Sequence, residues 1–393
     1  MLLLPITLSV MGIAVLVPDV PQLMRAFRHI PDHQYLIQGG VLTMPALCVA
    51  LLSPLAGWIA DRSGRRRLLI ASMVVYALVG IAPTLLHNLI AIILSRVAVG
   101  ICEAVVMTVS TTLISDYFQG HAREKWLANQ TAVAALSALA LIPLGGLLGR
   151  LYGWRGPFWV YLFSLLLAVG LWLYTWEPVA QPPFQATVHL PDGALEPAVL
   201  PWLRLGGICG ITLFASMMFY TVQTQSALAL ASLGVHDAAR IGVLTMIASL
   251  GVPLGTFAFR AASRLPIGTL LGLEFLLVGG GFLWMGKAAT PAEFVPAAAL
   301  NQIGCGMILP TLLTWATRGL AFSIRGRGTG IWNSTFAVGQ FLSALVVTWL
   351  AGEVGGLLTA FFALGIAGTA AAALTTAVQL STRSRLISSA TDL

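Results

Sequence analysis

Four ionisable side chains fall inside long apolar runs of the chain: Asp19, Arg96, Glu103 and Glu274. A charge deep in a hydrophobic span is costly unless it is paired or hydrated, so each is a candidate for chemistry before packing. The chemistry open to a carboxylate near a guanidinium is reversible proton binding. Deprotonation creates a partner for the arginine, and protonation releases it. Arg96 and Glu103 are seven residues apart, nearly two helical turns, so they share a face about 10.5 Å apart along the axis. Asp19 and Arg96 each lie about seven residues from the same end of their spans, roughly 10 Å below one surface. They can pair if their helices touch. A static ion pair that orders a bundle is the alternative reading of these residues.

The elements that carry them must be membrane helices. The chain is 58% hydrophobic and 9% charged, with mean hydropathy +0.89, whereas a soluble protein carries about 25% charged residues. A span needs about 20 apolar residues. The pattern predicts an all-α membrane protein of twelve transmembrane helices, near 2–26, 35–60, 68–87, 89–117, 126–150, 156–176, 203–231, 239–259, 266–286, 292–318, 328–351 and 355–380. The first begins almost at Met1 without a cationic leader and is expected to be a retained helix. Most of the 21 Lys and Arg, with Arg62, Arg65, Arg66 and Arg67 foremost, then fall on one side. That bias places the N- and C-termini in the cytoplasm. The net charge of +7 is therefore topological and implies no nucleic acid. Cys48, Cys102, Cys209 and Cys305 stand singly in apolar runs, which implies packing rather than disulfides or metal. The histidines fall in predicted loops. No H-E-x-x-H, G-x-S-x-G or nucleotide-binding loop occurs, so neither a membrane-embedded enzyme nor direct ATP drive is expected.

Between the second and third spans lies Gly57-Trp-Ile-Ala-Asp61-Arg62-Ser-Gly64-Arg65-Arg66-Arg67. One acid, two glycines and four arginines cannot lie in hydrocarbon, so this is a tight connection. Gly64 supplies a turn that few other residues allow. The stretch resembles the G-x-L-A-D-R-x-G-R-R/K loop signature of the major facilitator superfamily of secondary transporters. Arg96-Val-Ala-Val-Gly100-Ile-Cys-Glu103-Ala104 resembles that family's fourth-helix R-x-x-x-G-x-x-x-A motif, and its Gly-x-x-Glu-Ala form resembles spinster-like and organic-anion carriers. Ile142-Pro143-Leu-Gly145-Gly146 resembles part of the antiporter motif, with isoleucine in place of the glycine before proline and a spacer one residue short. The resemblance implies two six-helix bundles, a cavity lined by helices 1 and 4, and a tie between Arg96 and proton coupling, for which the buried carboxylates of Asp19 and Glu103 are the expected proton carriers. It also implies a gating loop at Gly57, Asp61, Arg62, Gly64 and Arg65, in which Asp61 latches the bundles together. Glu274 falls in helix 9, which is peripheral in that fold.

Short motifs recur at a fixed offset: Pro54-Leu55 as Pro253-Leu254, Arg65 as Arg264, Thr112-Leu113 as Thr311-Leu312. They fit a parallel duplication, with a bundle at 1–176, a cytoplasmic linker at 177–201, a bundle at 202–380 and a tail at 381–393. The second loop copy, Phe259-Arg260-Ala-Ala-Ser-Arg264, lacks the acid and glycines. At the same offset Glu103 becomes Gln302, so substrate contacts are expected to be neutral: Tyr220, Gln223, Asn301, Gln302, Trp315, Asn333 and Gln340, with Gln38 and Asn129 from the first half. Amides in spans can instead bond neighbouring helices. The expected function is proton-coupled transport of a small, amphipathic or aromatic organic solute by alternating access. A non-coupled facilitator or sensor of the same fold is the alternative. The expected partners are substrate, protons and the bilayer, for a monomer in a bacterial inner membrane with no cofactor and no metal.

Overall fold

The computed structural model describes the backbone of residues 1–177, 201–318 and 322–391, without the side chains of Asp61, His121, Glu124, Ala128, 322–326 and 382–391. The expected linker, apart from its end residues, and most side chains of the expected tail therefore lie outside the described residues. The elements are α1 (Ile6–Ala14), α2 (Val20–Ala26), α3 (His33–Tyr35), α4 (Met44–Ser63), α5 (Arg65–Ile81), α6 (Leu89–Tyr117), α7 (Gly120–Tyr152), α8 (Phe163–Tyr174), α9 (Trp202–Ser232), α10 (Ala238–Ser249), α11 (Gly251–Ala262), α12 (Ile267–Lys287), α13 (Pro291–Thr317), α14 (Phe322–Glu353) and α15 (Leu357–Thr391).

Helix starts follow capping chemistry. Asn88 accepts from Ile90 N at 2.8 Å ahead of α6, and Asp237 accepts from Arg240 N at 3.3 Å ahead of α10. Gly64 at φ 90° separates α4 from α5, in the left-handed region that favours glycine. Two spans are broken by proline. Pro18 sits in a 3₁₀ turn, Val17–Asp19, between α1 and α2. A π-helix, Leu36–Thr43, joins α3 to α4 just before Pro45.

Eleven stretches of the described residues are long and apolar enough to cross a membrane. This differs from the expected twelve because Lys125–Tyr174 forms one 50-residue run. Within it α7 is joined to α8 through a 3₁₀ segment, Gly153–Leu162, with no break in helical structure between them. The eighth expected span is broken at Leu250 into α10 and α11.

Each half of the chain has its own apolar core, one around Met11, Tyr76, Val99 and Tyr161, the other around Phe219, Phe275, Phe282 and Phe361. Small residues set the helix spacing, as membrane packing requires. A Cβ at Gly255 of α11 would overlap the Ile303 carbonyl of α13, and one at Gly279 of α12 would come within 2.6 Å of Thr369 N in α15. The halves meet away from the Gly57–Arg67 loop. Gly146 of α7 packs on the Ala238 backbone of α10, and Gly242 faces Pro143. Thr43 donates to Phe341 O at 3.3 Å, and Ser334 donates to Ala50 O at 3.2 Å.

Gly255→Ala should therefore cost about 1–3 kcal/mol of stability, the usual penalty of overpacking. Gly210→Ala, with open space around its Cβ position, should leave the melting temperature unchanged or raised. Thermal unfolding in detergent compares the two, and equal melting temperatures would count against this helix spacing.

Candidate functional site

Arg96 is fully buried in α6, and its ligands are backbone carbonyls. Nη2 donates to Gly12 O at 3.1 Å and Nε to Val41 O at 3.2 Å. Both acceptors are released by breaks in their own helices. Leu16 N–H, the donor that an unbroken helix would give Gly12 O, goes to Ile13 O at 3.0 Å. In an α-helix Val41 O would take the N–H of residue 45, but that is proline and has none. The guanidinium also lies 5.1 Å from the ring of Tyr161, a favourable cation–π arrangement. Nη1 has no hydrogen-bond partner.

Glu103 is nearly buried, and its Oε2 also lacks a partner. The two groups face each other across Gly12. A Cβ placed there would lie 3.1 Å from Glu103 Oε2 and 3.8 Å from Arg96 Nη2. No ion pair joins them among the described residues, so the arginine is held by α1 and the π-helix while the carboxylate waits one glycine away.

Asp19 does not meet Arg96. The turn at Pro18 directs it to α7, where its carboxylate occupies the space a side chain at Gly149 would need. It accepts from Gln22 Nε2 at 3.4 Å, and Gln22 also donates to Gly149 O at 3.2 Å. Equal depth therefore does not produce a pair here, because the helix break rotates Asp19 towards a different neighbour. Its Oδ2 is unpartnered.

The neutral candidates scatter. Tyr220 is half-buried in an aromatic group with Phe219 at 4.8 Å, Phe336 at 5.5 Å and, through Phe336, Trp332. It lies near enough to Glu103 to interact electrostatically. Gln223, Asn129, Trp315 and Gln340 are half-buried, and Asn333 is exposed. Asn301 and Gln302 are fully buried between helices: Asn301 donates to Val278 O at 2.9 Å and accepts from Gln302 at 3.2 Å. Gln38 is likewise buried, donating to Gln225 Oε1 across the halves at 3.2 Å. Glu274 accepts from Thr311 at 2.5 Å between α12 and α13.

The loop residues tie the first half to itself. Arg65 pairs with Asp116, Arg62 stacks on Trp58 at 3.8 Å, and Arg66 N donates to Glu177 at 3.2 Å. Gly57 makes ordinary contact, a Cβ there lying 3.6 Å from Thr108. The Asp61 side chain lies outside the described residues. Among the described residues no cluster of His, Cys, Asp and Glu could hold a metal.

Sequence reading missed Tyr161, Gln225 and the two carbonyl ligands. Gln225 follows Gln223 by two positions and so lies on the other side of α9. Pro18 and Pro45 were the readable signals for the released carbonyls.

The family model of the Major Facilitator Superfamily matches residues 2–344, and the chain belongs to that family. It is a multi-pass membrane transporter for small molecules and not an enzyme. A tetracycline resistance protein, class D, of Salmonella ordonez is 25% identical over 366 residues, covering 90% of this chain and 86% of the relative. The fold is similar to a bacterial homologue of the human lysosomal transporter Spinster, inward-facing and occupied, at TM-score 0.77 and 17% identity over 97% of this chain and 95% of the other. It is also similar to a D-xylose-proton symporter at TM-score 0.76 and 15% identity, over 95% and 96% of the two chains.

Because Asp19 and Arg96 have no shared partner, the stability losses of Asp19→Ala and Arg96→Ala should add to within about 0.3–0.5 kcal/mol in a double-mutant cycle. A large interaction energy would show that they meet in a populated state other than this one.

Proposed function

We propose that this protein is a proton-coupled secondary transporter of an amphipathic or aromatic organic solute. The observation that carries the reading is Glu103, buried with one oxygen unpartnered and facing Arg96 across Gly12. When Glu103 is protonated, Arg96 rests on the carbonyls of Gly12 and Val41. When the proton leaves, the carboxylate competes for the guanidinium, since a charge-assisted bond outweighs one to a neutral carbonyl. Asp19, buried against α7 at the contact between halves, is a second proton site in this reading.

The aromatic group of Tyr220, Phe219, Phe336 and Trp332 supports an apolar, ring-bearing substrate, and Trp332 Nε1, buried without a partner, supplies a donor for it. The likeness to a tetracycline resistance protein supports an organic solute. Gln223, Asn129, Gln340, Asn333 and Trp315 remain candidate contacts, as do Gln38 and Gln302, each with a buried Oε1 that has no partner, whereas Asn301 is bonded to Val278 O and to Gln302. Splitting the Lys125–Tyr174 run at Gly153 gives twelve crossings in two bundles, 1–176 and 202–380, with both termini cytoplasmic. The chain acts as a monomer in a bacterial inner membrane, and the Gly57–Arg67 loop gates its cytoplasmic side with Asp61 as latch.

Proteoliposomes loaded with a candidate aromatic solute and given a pH gradient test the reading. One pH unit is worth about 1.36 kcal/mol, so one proton per solute sustains about a ten-fold concentration ratio. Glu103→Gln should bring that ratio to unity while counterflow exchange continues. Undiminished accumulation in that variant would reject proton coupling through Glu103. Wild-type protein that equilibrates solute without ever accumulating it would favour the facilitator.

A further inference from the structure

The π-helix Leu36–Thr43 touches both the proton site and the opposite half of the molecule. On one side its Val41 carbonyl is a ligand of Arg96, and Gly40 packs on Ile93 of α6, where a Cβ would come within 2.7 Å of the side chain. On the other side Gln38 bonds Gln225 of α9, Thr43 bonds Phe341 O of α14, and a Cβ at Gly39 would come within 2.6 Å of Leu345. Seven of its eight residues, all but Leu36, are buried. π-Helical turns inside longer helices are rare and are frequently found at functional sites.

We propose that this π-helix transmits the protonation state of Glu103 to the closure between the halves, and that Gln225 is the positioning residue through which α9 is held to it. The inference rests on the proton-coupled reading above. Loss of the Glu103 proton to water draws Arg96 off the Val41 carbonyl. Pro45 offers that carbonyl no donor in α-helical register, so it is satisfied only if the segment re-pairs its backbone, as through the i→i+5 donor Ala46 that π-helical register allows. Gln38 and Thr43 travel with it, and their bonds across the halves are strained or released. The clasp has spare capacity for such movement. Gln38 Oε1 has no partner, and Gln225 Nε2 reaches Ala344 O only at 3.5 Å.

Few other groups compete for this role. Besides Arg96 and Cys102 on its own helix, the titratable groups that act electrostatically with or lie near Glu103 are Cys48 of α4, Tyr76 of α5, Tyr161 of the 3₁₀ segment and Tyr220 of α9. α1 and the π-helix bring none. Cysteine and tyrosine ordinarily titrate above neutrality, which leaves Glu103 as the group that changes charge.

Single-molecule energy transfer between dyes carried on unnatural amino acids at Tyr35 and Glu353 tests the link in the full-length protein. Both sites are exposed, at the end where the halves meet. In an Asp19→Asn background, which silences the second proton site, the closed population should differ on the two sides of neutral pH, and adding Glu103→Gln should abolish the difference. Gln225→Leu and Gln38→Leu should each shrink it by about five-fold, the effect one buried hydrogen bond commonly carries. A role in mere stability would shift the population equally at both pH values and leave the difference intact. An undiminished difference in both leucine variants, monodisperse and active in exchange, overturns the link while proton coupling stands. An undiminished difference in Glu103→Gln overturns the coupling reading and this inference with it. The two leucine variants address one bond from either side, so failure of one to fold leaves the test in force.

Discussion

A fully buried guanidinium must be satisfied by fixed dipoles or an opposite charge, because desolvating an unpaired ion costs several kcal/mol even after relaxation. In this protein Arg96 uses dipoles. Its acceptors are carbonyls that regular helices would keep for themselves, and they are available only because α1 ends at Ala14 and the chain before Pro45 is π-helical. The break in the first span, the irregular start of the second and the place of Tyr161 over the guanidinium thus belong to one arrangement. Removing the irregularities would restore the helix ladders and strand the charge. Because its ligands are neutral, the arginine remains open to a better partner, and Glu103 lies one glycine away.

The second constraint is close helix approach without a hydrophobic driving force between helices. Gly145 and Gly149 of α7 allow contact with the Val15 backbone and with Asp19, while Gly146 allows contact with Ala238. One helix thereby holds both the broken segment of the first span and the opposite half. Residues of the partial antiporter motif, Gly145 and Gly146, are explained by this packing alone. They sit where the halves must part if access is to alternate, so contacts through backbone and small side chains suit a surface that has to separate repeatedly.

Much of this was legible in the residues. The apolar runs located the spans closely, α6 matching its predicted bounds at 89 and 117, and the shared face of Arg96 and Glu103 followed from helical spacing. The pairing of Asp19 was not legible. Depth along a helix can be counted, but rotation about the axis is lost at a proline break, and Pro18 lies directly before Asp19. The amides misled for a related reason. Gln223 and Gln225 are two positions apart, and only the tertiary structure says which one faces the other half. Nor does a sequence distinguish an amide that lines a cavity from one that bonds its neighbour, as Asn301 and Gln302 do.

The asymmetry between the halves follows from the same physics. The second half has Gln302 at the offset position of Glu103, and that amide donates to Asn301 and packs against Gly251 while its Oε1 has no partner. No guanidinium is buried there among the described residues. Its Glu274 is held instead by the Thr311 hydroxyl. Thr311 donates to one oxygen of Glu274 only, and among the described residues neither Glu274 nor Gln302 has a buried guanidinium in its half with which to exchange partners. The first half holds Arg96 on the carbonyls of Gly12 and Val41 with the Glu103 carboxylate beside them, the arrangement on which the proposed proton coupling rests. Of the two halves, only the first buries an arginine among the described residues, and its broken helices supply the carbonyls that hold it.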